Sequence, residues 1–78
     1  MRKFVSFADS KGNRYQLQEK DTFTVVYNGK EYDCILDSFR TVKDRILLVC
    51  ELDDTTGQKT QYRSFYADKI EQLTEGVV

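Results

Sequence analysis

The sequence contains no histidine, no tryptophan and no proline. Histidine is the commonest general base and the commonest transition-metal ligand in proteins, so its absence argues against both kinds of site. No serine or threonine has a base partner that would activate it as a nucleophile. The four glycines, Gly12, Gly29, Gly57 and Gly76, are isolated and do not form a phosphate-binding loop. We therefore expect no enzymatic activity and no cofactor.

Cysteine is also scarce, because Cys34 and Cys50 are the two cysteines of the chain. They form neither a CxxC motif nor a Cys/His metal spacing. Two interpretations stay open: buried reduced thiols in a cytosolic protein, the more common situation, or a redox pair on neighbouring strands. The adjacent carboxylates of Asp53 and Asp54 do not match a calcium-binding loop, and a solvated turn is their expected role.

Neither sign of charge is in clear excess, because 12 basic and 13 acidic side chains give a net charge of −1. This balance excludes a protein held to nucleic acid mainly by many phosphate contacts, and it excludes an acidic DNA mimic. A local basic patch remains compatible with it. The sequence shows no secretory signal, lipidation motif or membrane-length apolar run, which predicts a cytoplasmic protein without membrane contact.

The clearest positive signal is the segment 22–36, where two alternating runs flank Asn28-Gly29. An Asn-Gly pair favours the two-residue type I′ turn, because both residues tolerate positive φ. With this turn, Val25 faces Tyr32 and Phe23 faces Cys34, so the apolar residues share one face. Turn chemistry and side-chain alternation thus predict the same strand register.

A second hairpin is predicted over residues 2–19, with strands at 2–7 and 14–19 and a loop rich in turn formers between them. The alternation places Val5 and Phe7 on the same face as Tyr15 and Leu17. Phe4 then points to the opposite side.

The remaining segments are assigned from their apolar content and turn signals. Residues 45–52 form the most apolar run and predict a central strand covered on both faces. Before it, 37–44 is interpreted as a polar connection with a bend or bulge. After it we expect a turn at 53–57, a strand at 58–66, a helical turn or last strand at 67–73, and a tail at 74–78.

Five or six short strands joined by hairpins predict one mainly β domain over residues 1–78. Because edge strands are costly, a sheet of this size tends to close on itself. We expect an SH3-like or Sm-like partly open barrel of antiparallel strands, with at most a short C-terminal helical turn. An OB-like barrel is the alternative.

Candidate binding residues are basic and aromatic side chains of the second half of the chain. Basic groups interleaved with rings can hold a nucleic acid backbone while bases stack on the rings. The alternative, core rings and arginines that solvate strand edges, is the more common situation. The candidates are Arg40, Lys43, Arg45, Tyr62, Arg63, Phe65 and Lys69.

The segments FTVVYNGKEY, RILLVCEL and YRSFYADKIEQL resemble parts of a WYL domain over about residues 22–73. The last segment is similar to the closing pattern of that family, with the match carried by Arg63, Phe65, Asp68, Lys69 and Ile70. The Trp-Tyr-Leu triplet of the family falls on residues 46–48, of which the leucine alone is kept. Lys69 stands where the family usually has arginine.

The resemblance implies an Sm-like barrel that senses ligands, often nucleic acids or nucleotides, and regulates an attached activity in bacteria or phage. We therefore expect a non-enzymatic, stand-alone regulatory binding module that contacts nucleic acid or a regulatory protein. In that role Arg63 would anchor a phosphate or a carboxylate. The alternative is a protein-interaction inhibitor or assembly factor that pairs through a strand edge, such as the hairpin 2–19, or forms a homodimer.

Overall fold

The computed structural model describes residues 3–52 and 61–75, within which the chain forms seven strands and one 3₁₀ turn. The strands are β1 (Phe4–Ala8), β2 (Arg14–Gln18), β3 (Thr22–Tyr27), β4 (Lys30–Val42), β5 (Arg45–Leu52), β6 (Gln61–Tyr66) and β7 (Gln72–Glu75). The 3₁₀ turn is Ala67–Lys69, between β6 and β7. The predicted turn at 53–57, with Asp53 and Asp54, and the start of the predicted strand 58–66 lie outside the described residues.

The strands form two antiparallel sheets. β1 and β2 pair with each other, and the other five strands form a sheet in the order β6-β5-β4-β3-β7. β6 and β7, the two ends of this order, do not pair with each other, so the sheet curves without closing. The predicted mainly β fold, a small partly open barrel with a short helical turn near the C-terminus, is confirmed, but the described residues form seven strands and not the expected five or six, because residues 72–75 add a strand beside β3.

The hairpin at Asn28-Gly29 has the register that the sequence predicts. Val25 pairs with Tyr32 and Phe23 pairs with Cys34 across β3 and β4. Asn28 and Gly29 both have positive φ, at 53° and 75°, as a type I′ turn requires. The side chains of Phe23 and Val25 are fully buried, and burial of each contributes roughly 1.5–3 kcal/mol to folding.

The prediction of a polar connection over 37–44 is wrong, because β4 runs on to Val42. The predicted bulge is present, since the pairing of β4 with β5 shifts between Leu36 and Ser38. This bulge changes which residues face the core: Cys34 and Leu36 do so before it, and Phe39, which pairs with the buried Leu48, does so after it. Without the extra residue the second half of β4 would turn its apolar side outward.

Backbone groups near the bulge are satisfied by the linker between β2 and β3. The Lys20 N–H donates to the Leu36 carbonyl at 2.8 Å, and the Leu36 N–H donates to the Asp21 carbonyl at 2.9 Å. Lys20 has a φ of 77°, which is costly for a residue with a Cβ. The backbone of the linker is therefore strained at Lys20, the residue whose N–H bond holds the N-terminal hairpin against β4.

β5 spans the predicted residues and lies between β4 and β6. Leu47 and Leu48 are both buried although adjacent strand residues point to opposite faces, so this part of β5 is covered on both sides, as predicted. We call the side that carries Leu48 and Cys50 the core face and the other side the outer face. Leu17, Phe23, Leu36, Leu48, Phe65 and Ile70 are the largest of the fully buried side chains.

Cys34 and Cys50 are free and buried on the core face. Cys34 pairs with Leu52 and Cys50 pairs with Leu36, so the two cysteines are diagonal neighbours on β4 and β5. The Cys34 thiol donates to the Tyr32 carbonyl at 3.7 Å. The interaction with Cys34, together with burial, raises the pKa of the Cys50 thiol. The buried free thiols fit the first interpretation of the cysteines, and their places on neighbouring strands are those that the second requires, so both interpretations stay predictions.

The N-terminal hairpin also has its predicted register, because Val5 pairs with Leu17 and Phe7 with Tyr15. Val5, Phe7 and Leu17 are buried, whereas Phe4 is 58% exposed on the opposite side, as predicted. The hairpin thus packs its apolar face on the five-stranded sheet.

The loop of this hairpin is organised by Asp9, whose side chain is buried. Its carboxylate accepts hydrogen bonds from the Lys11 and Asn13 N–H groups at 2.9 Å, from the Asn13 amide at 3.3 Å and from the Tyr15 hydroxyl at 3.2 Å. Burial by itself would raise the pKa of Asp9, but these four bonds outweigh it and lower the pKa below its ordinary value.

The segment 67–73 contains both of the predicted alternatives, since the 3₁₀ turn is followed by β7. Ile70 and Leu73 are buried, as expected of the anchors of this segment. Thr74 and Glu75 belong to β7 and pair with β3, so the predicted tail begins too early. Residues 76–78 lie outside the described residues.

The turn between β4 and β5 offers a first test of the fold, because Lys43 and Asp44 both have positive φ, at 49° and 65°. Asparagine tolerates this region better than lysine. We expect Lys43→Asn to raise the free energy of unfolding in urea by about 0.5 kcal/mol. Lys43→Gln removes the same charge without that tolerance and should leave stability unchanged; equal effects of the two substitutions would contradict the backbone explanation.

The Asp9 network offers a second test. Asp9→Asn keeps one acceptor oxygen but turns the other into a donor, so we expect it to lower the free energy of unfolding at pH 7 by about 1–3 kcal/mol. Because the folded-state pKa of Asp9 is lowered, its stabilisation is present above the unfolded pKa of about 3.9 and is lost as pH falls through the folded pKa.

The gap in urea stability between the parent and the Asp9→Asn variant should therefore shrink as pH is lowered below about 4. Asp33→Asn is the matched control, because Asp33 is exposed and accepts one hydrogen bond, from the Thr24 hydroxyl. A gap that stayed constant from pH 7 to pH 3 would show that the Asp9 charge does not contribute.

Candidate functional site

The candidate residues of the second half do not form one surface. Arg40 pairs with Leu47 and Tyr62 pairs with Glu51, which places both on the outer face. Lys43 lies in the turn between β4 and β5, and Lys69 is exposed in the 3₁₀ turn. Arg63 and Phe65 instead pair with the core-face residues Cys50 and Leu48. The continuous basic and aromatic surface that the sequence suggested is therefore divided between two sides of the sheet.

Arg45 on the outer face already has an anionic partner. Its Nε and one terminal nitrogen donate to the two carboxylate oxygens of Asp68, both at 2.8 Å. Its Cζ lies 3.8 Å from the centre of the Tyr66 ring. The hydrogen bonds from Arg45 lower the pKa of Asp68. This pair ties β5 to the 3₁₀ turn, and any added anion would have to compete with Asp68 for the guanidinium.

Phe65 is a core residue, because its side chain is fully buried, so a ligand could not reach it in this arrangement. Its ring packs against Tyr27 at 4.9 Å between centroids, with planes at 73°, and against Tyr32 at 5.4 Å. Edge-to-face contacts of this kind contribute roughly 0.5–1.5 kcal/mol beyond the buried area. Phe65 thus packs against Tyr27 and Tyr32 from the core and restricts the positions of both rings.

Arg63 lies above these rings. Its Cζ is 4.8 Å from the centre of the Tyr32 ring and 5.6 Å from the centre of the Phe65 ring. The residue is exposed, and within residues 3–52 and 61–75 its guanidinium has no carboxylate partner. The sequence left open which face of β6 turns inward; the structure places Arg63 on the core face, at the open edge of the sheet.

A second cation lies against the same ring, and sequence reasoning missed it. The Nζ atom of Lys30 is 5.6 Å from the centre of the Tyr32 ring. Lys30 is exposed, and like Arg63 it has no acidic partner in the part of the chain that is described. The available signal was the spacing, because residues 30 and 32 of one strand share a face. A lone lysine beside a turn gives no other indication of a site.

We call Arg63, Lys30 and Tyr32 the Tyr32 site. Two cations held against one half-buried ring, without an opposing carboxylate among the described residues, form a place where an anion gains electrostatic energy. Arginine offers a planar fork that matches the two oxygens of a carboxylate or a phosphate, and lysine adds a mobile point charge. The chemistry of these three side chains is that of binding an anionic group.

The other features of the described residues lie apart from the Tyr32 site. No group of three or more His, Cys, Asp or Glu side chains is arranged to hold a metal ion in residues 3–52 and 61–75. Two open hollows lie between the N-terminal hairpin and β7, both bordered by Glu75. Neither hollow is lined by Arg63 or Lys30, so they are separate from the Tyr32 site.

Comparison with known proteins provides no family for the chain: no family model, no curated protein and no solved structure matches it. The resemblance to WYL domains therefore stays a prediction from the sequence. Among the described residues, no helix is long and apolar enough to cross a membrane.

The exposure of Arg63 can be tested through stability. We expect Arg63→Met to lower the free energy of unfolding by less than about 1 kcal/mol, because an exposed cation–π contact contributes roughly 0.5–1 kcal/mol and the thioether keeps the contact with the Tyr32 ring. Urea denaturation measures this difference. Leu48→Ala, which removes a fully buried side chain, should cost about 2–5 kcal/mol in the same assay. A loss above about 2 kcal/mol for Arg63→Met would assign Arg63 a structural role.

Proposed function

We propose that this protein is a non-enzymatic binding module that anchors an anionic group of a macromolecular partner at the Tyr32 site. The observation that carries the proposal is the pair of cations, Arg63 and Lys30, placed against one ring with no acidic partner among the described residues. When several side chains of the same charge lie together without an opposite charge nearby, they repel one another and do not stabilise the fold. Such a cluster therefore indicates a binding surface more often than a stabilising contact.

The contrast with Arg45 supports this assignment. Both arginines stack on a tyrosine, but Arg45 has Asp68 as a bidentate partner whereas Arg63 has no carboxylate partner within residues 3–52 and 61–75. The aromatic ring beneath Arg63 restricts the guanidinium, so less conformational entropy is lost when an anion binds. The stacked arginine geometry that holds the Asp68 carboxylate at Arg45 can therefore accept the carboxylate of a ligand at Arg63.

Two partner classes supply such an anion, and the sequence prediction included both. A nucleic acid would place a phosphate on Arg63 and Lys30, and the resemblance to WYL domains implies ligands of this class. A regulatory protein would present a carboxylate. With a net charge of −1, the module gains its affinity from this local site and not from a general attraction to polyanions.

The experiment uses two fluorescein-labelled probes of similar charge, an oligothymidylate 12-mer and an oligoglutamate 12-mer, in anisotropy titrations at 50 and 200 mM salt. We expect at least one probe to bind, and Arg63→Met to weaken it about tenfold, the loss of one charge-assisted bidentate contact. For the oligothymidylate, the slope of log affinity against log salt should also fall by about 0.7.

Arg40→Met is the matched control, because Arg40 is an exposed arginine on the outer face. It removes the same charge from the chain and should leave both affinities nearly unchanged. Equal losses for Arg63→Met and Arg40→Met would indicate a nonspecific charge effect and would refute the Tyr32 site as the anchor. Binding of one probe alone would identify the partner class.

A second candidate, pairing through a strand edge, is favoured by one specific observation. β6 ends the five-stranded sheet and pairs with β5 alone, so one side of its backbone faces no described strand. The hairpin 2–19, which the sequence prediction named for this purpose, also has strands that pair only with each other among the described residues, so it stays an alternative edge.

A further inference from the structure

β6 is an open edge next to the Tyr32 site. Besides its ladder with β5, no backbone hydrogen bond joins residues 61–66 to another described segment. Residues 61–64 are all exposed. β7, the strand at the opposite end of the sheet, also pairs with a single described strand, but the segment just before it is held by the N-terminal hairpin, whose Ser10 N–H donates to the Ile70 carbonyl. β6 presents a row of N–H and C=O groups that have no partner among the described residues and that an added strand would use.

Arg63 stands in the middle of this edge with its side chain on the core face. A charge that points inward from an edge strand is one of the devices by which proteins prevent unwanted strand pairing, because an added neutral strand would cover the charge without neutralising it. Arg63 therefore disfavours the pairing of an uncharged strand with β6. The free-energy cost of covering the guanidinium is offset when the added strand places a carboxylate opposite Arg63.

We propose that the β6 edge takes an extended segment of a partner protein, with an Asp or Glu facing Arg63. This inference rests on the proposed function of Arg63 as an anion anchor and names the partner as an acidic polypeptide strand. A strand gains from both features at once, since its backbone pairs with β6 while its carboxylate meets the guanidinium. A nucleic acid would use the cation but would not pair with the exposed backbone of β6.

The register of the added strand follows from the sheet. A residue directly opposite Arg63 would have its Cβ about 4.5–5.5 Å from that of Arg63, close enough for a bidentate ion pair. Its neighbours in sequence would point to the outer face, where Tyr62 is 58% exposed. Because aromatic and β-branched residues pair well across strands, the structure predicts an acidic residue flanked by β-branched or aromatic ones.

The test uses a labelled nonapeptide of alternating threonine and valine with one central glutamate, and a second peptide with glutamine in that position. We expect the glutamate peptide to bind the parent protein about tenfold more tightly, because glutamine cannot neutralise Arg63. Arg63→Met should remove this preference, and Arg63→Glu should reverse it toward a peptide with a central lysine. Arg40→Met, on the outer face, should keep the preference.

Two further measurements separate strand addition from simple ion pairing. A glutamate peptide methylated on alternate backbone nitrogens keeps its charge but cannot pair with β6, so it should bind at least tenfold more weakly. In the complex, amide hydrogen exchange of β6 residues should slow by tenfold or more, while that of β7 should not change.

The outcomes distinguish this proposal from the proposed function. If the methylated and unmethylated peptides bind equally while Arg63→Met still weakens the oligoglutamate probe, the strand edge is wrong and the anion anchor stands. If Arg63→Met changes neither peptide nor probe, both are wrong. If Ser64→Cys forms a disulfide-linked dimer that excludes the peptide, β6 pairs with a second copy of the chain and the proposal is overturned.

Discussion

The bulge in β4 is the constraint on which the rest of the sheet depends. β4 pairs with β3 through its first half and with β5 through most of its length, so one strand must keep two neighbours aligned with one core. A bulge bends the strand that carries it and shifts the side-chain alternation by one residue. The extra residue between Leu36 and Ser38 shifts the alternation by one, so that Cys34 and Phe39 both face inward. The core, the curvature of the barrel and the placement of β5 and β6 all follow from that shift.

The same bulge explains what could and could not be predicted from the sequence. Around Asn28-Gly29, turn chemistry and alternation agree, and the register is correct to the residue. Beyond Leu36 the alternation is interrupted, and Lys43-Asp44 is not a typical type I′ pair, so the second half of β4 resembled a polar connection. The Arg45–Leu52 strand was predictable because its apolar content does not depend on register.

Predicting the site was harder than predicting the fold, because residue type does not specify the face of a strand. Arg45 and Arg63 looked alike in the sequence, and both stack on a tyrosine in the structure. What distinguishes them is a carboxylate from a segment 23 residues away, which reaches Arg45 and not Arg63. Lys30 belongs to the site because it contacts the ring of Tyr32 on its own strand. Nothing in the sequence distinguishes a lysine with such a contact from any other lysine beside a turn. The Tyr32 site is therefore defined by distances between side chains, which the sequence does not contain.

The 3₁₀ turn Ala67–Lys69 has a mechanical consequence. It is the short connection between β6 and β7, the two ends of the sheet, and Arg45 holds it to β5 through Asp68. The segment that joins the two ends of the sheet is therefore itself joined to two other parts of the fold, to β5 through Asp68 and to the N-terminal hairpin through the Ser10–Ile70 hydrogen bond. Both ends of the sheet thus depend for their position on the same short connection.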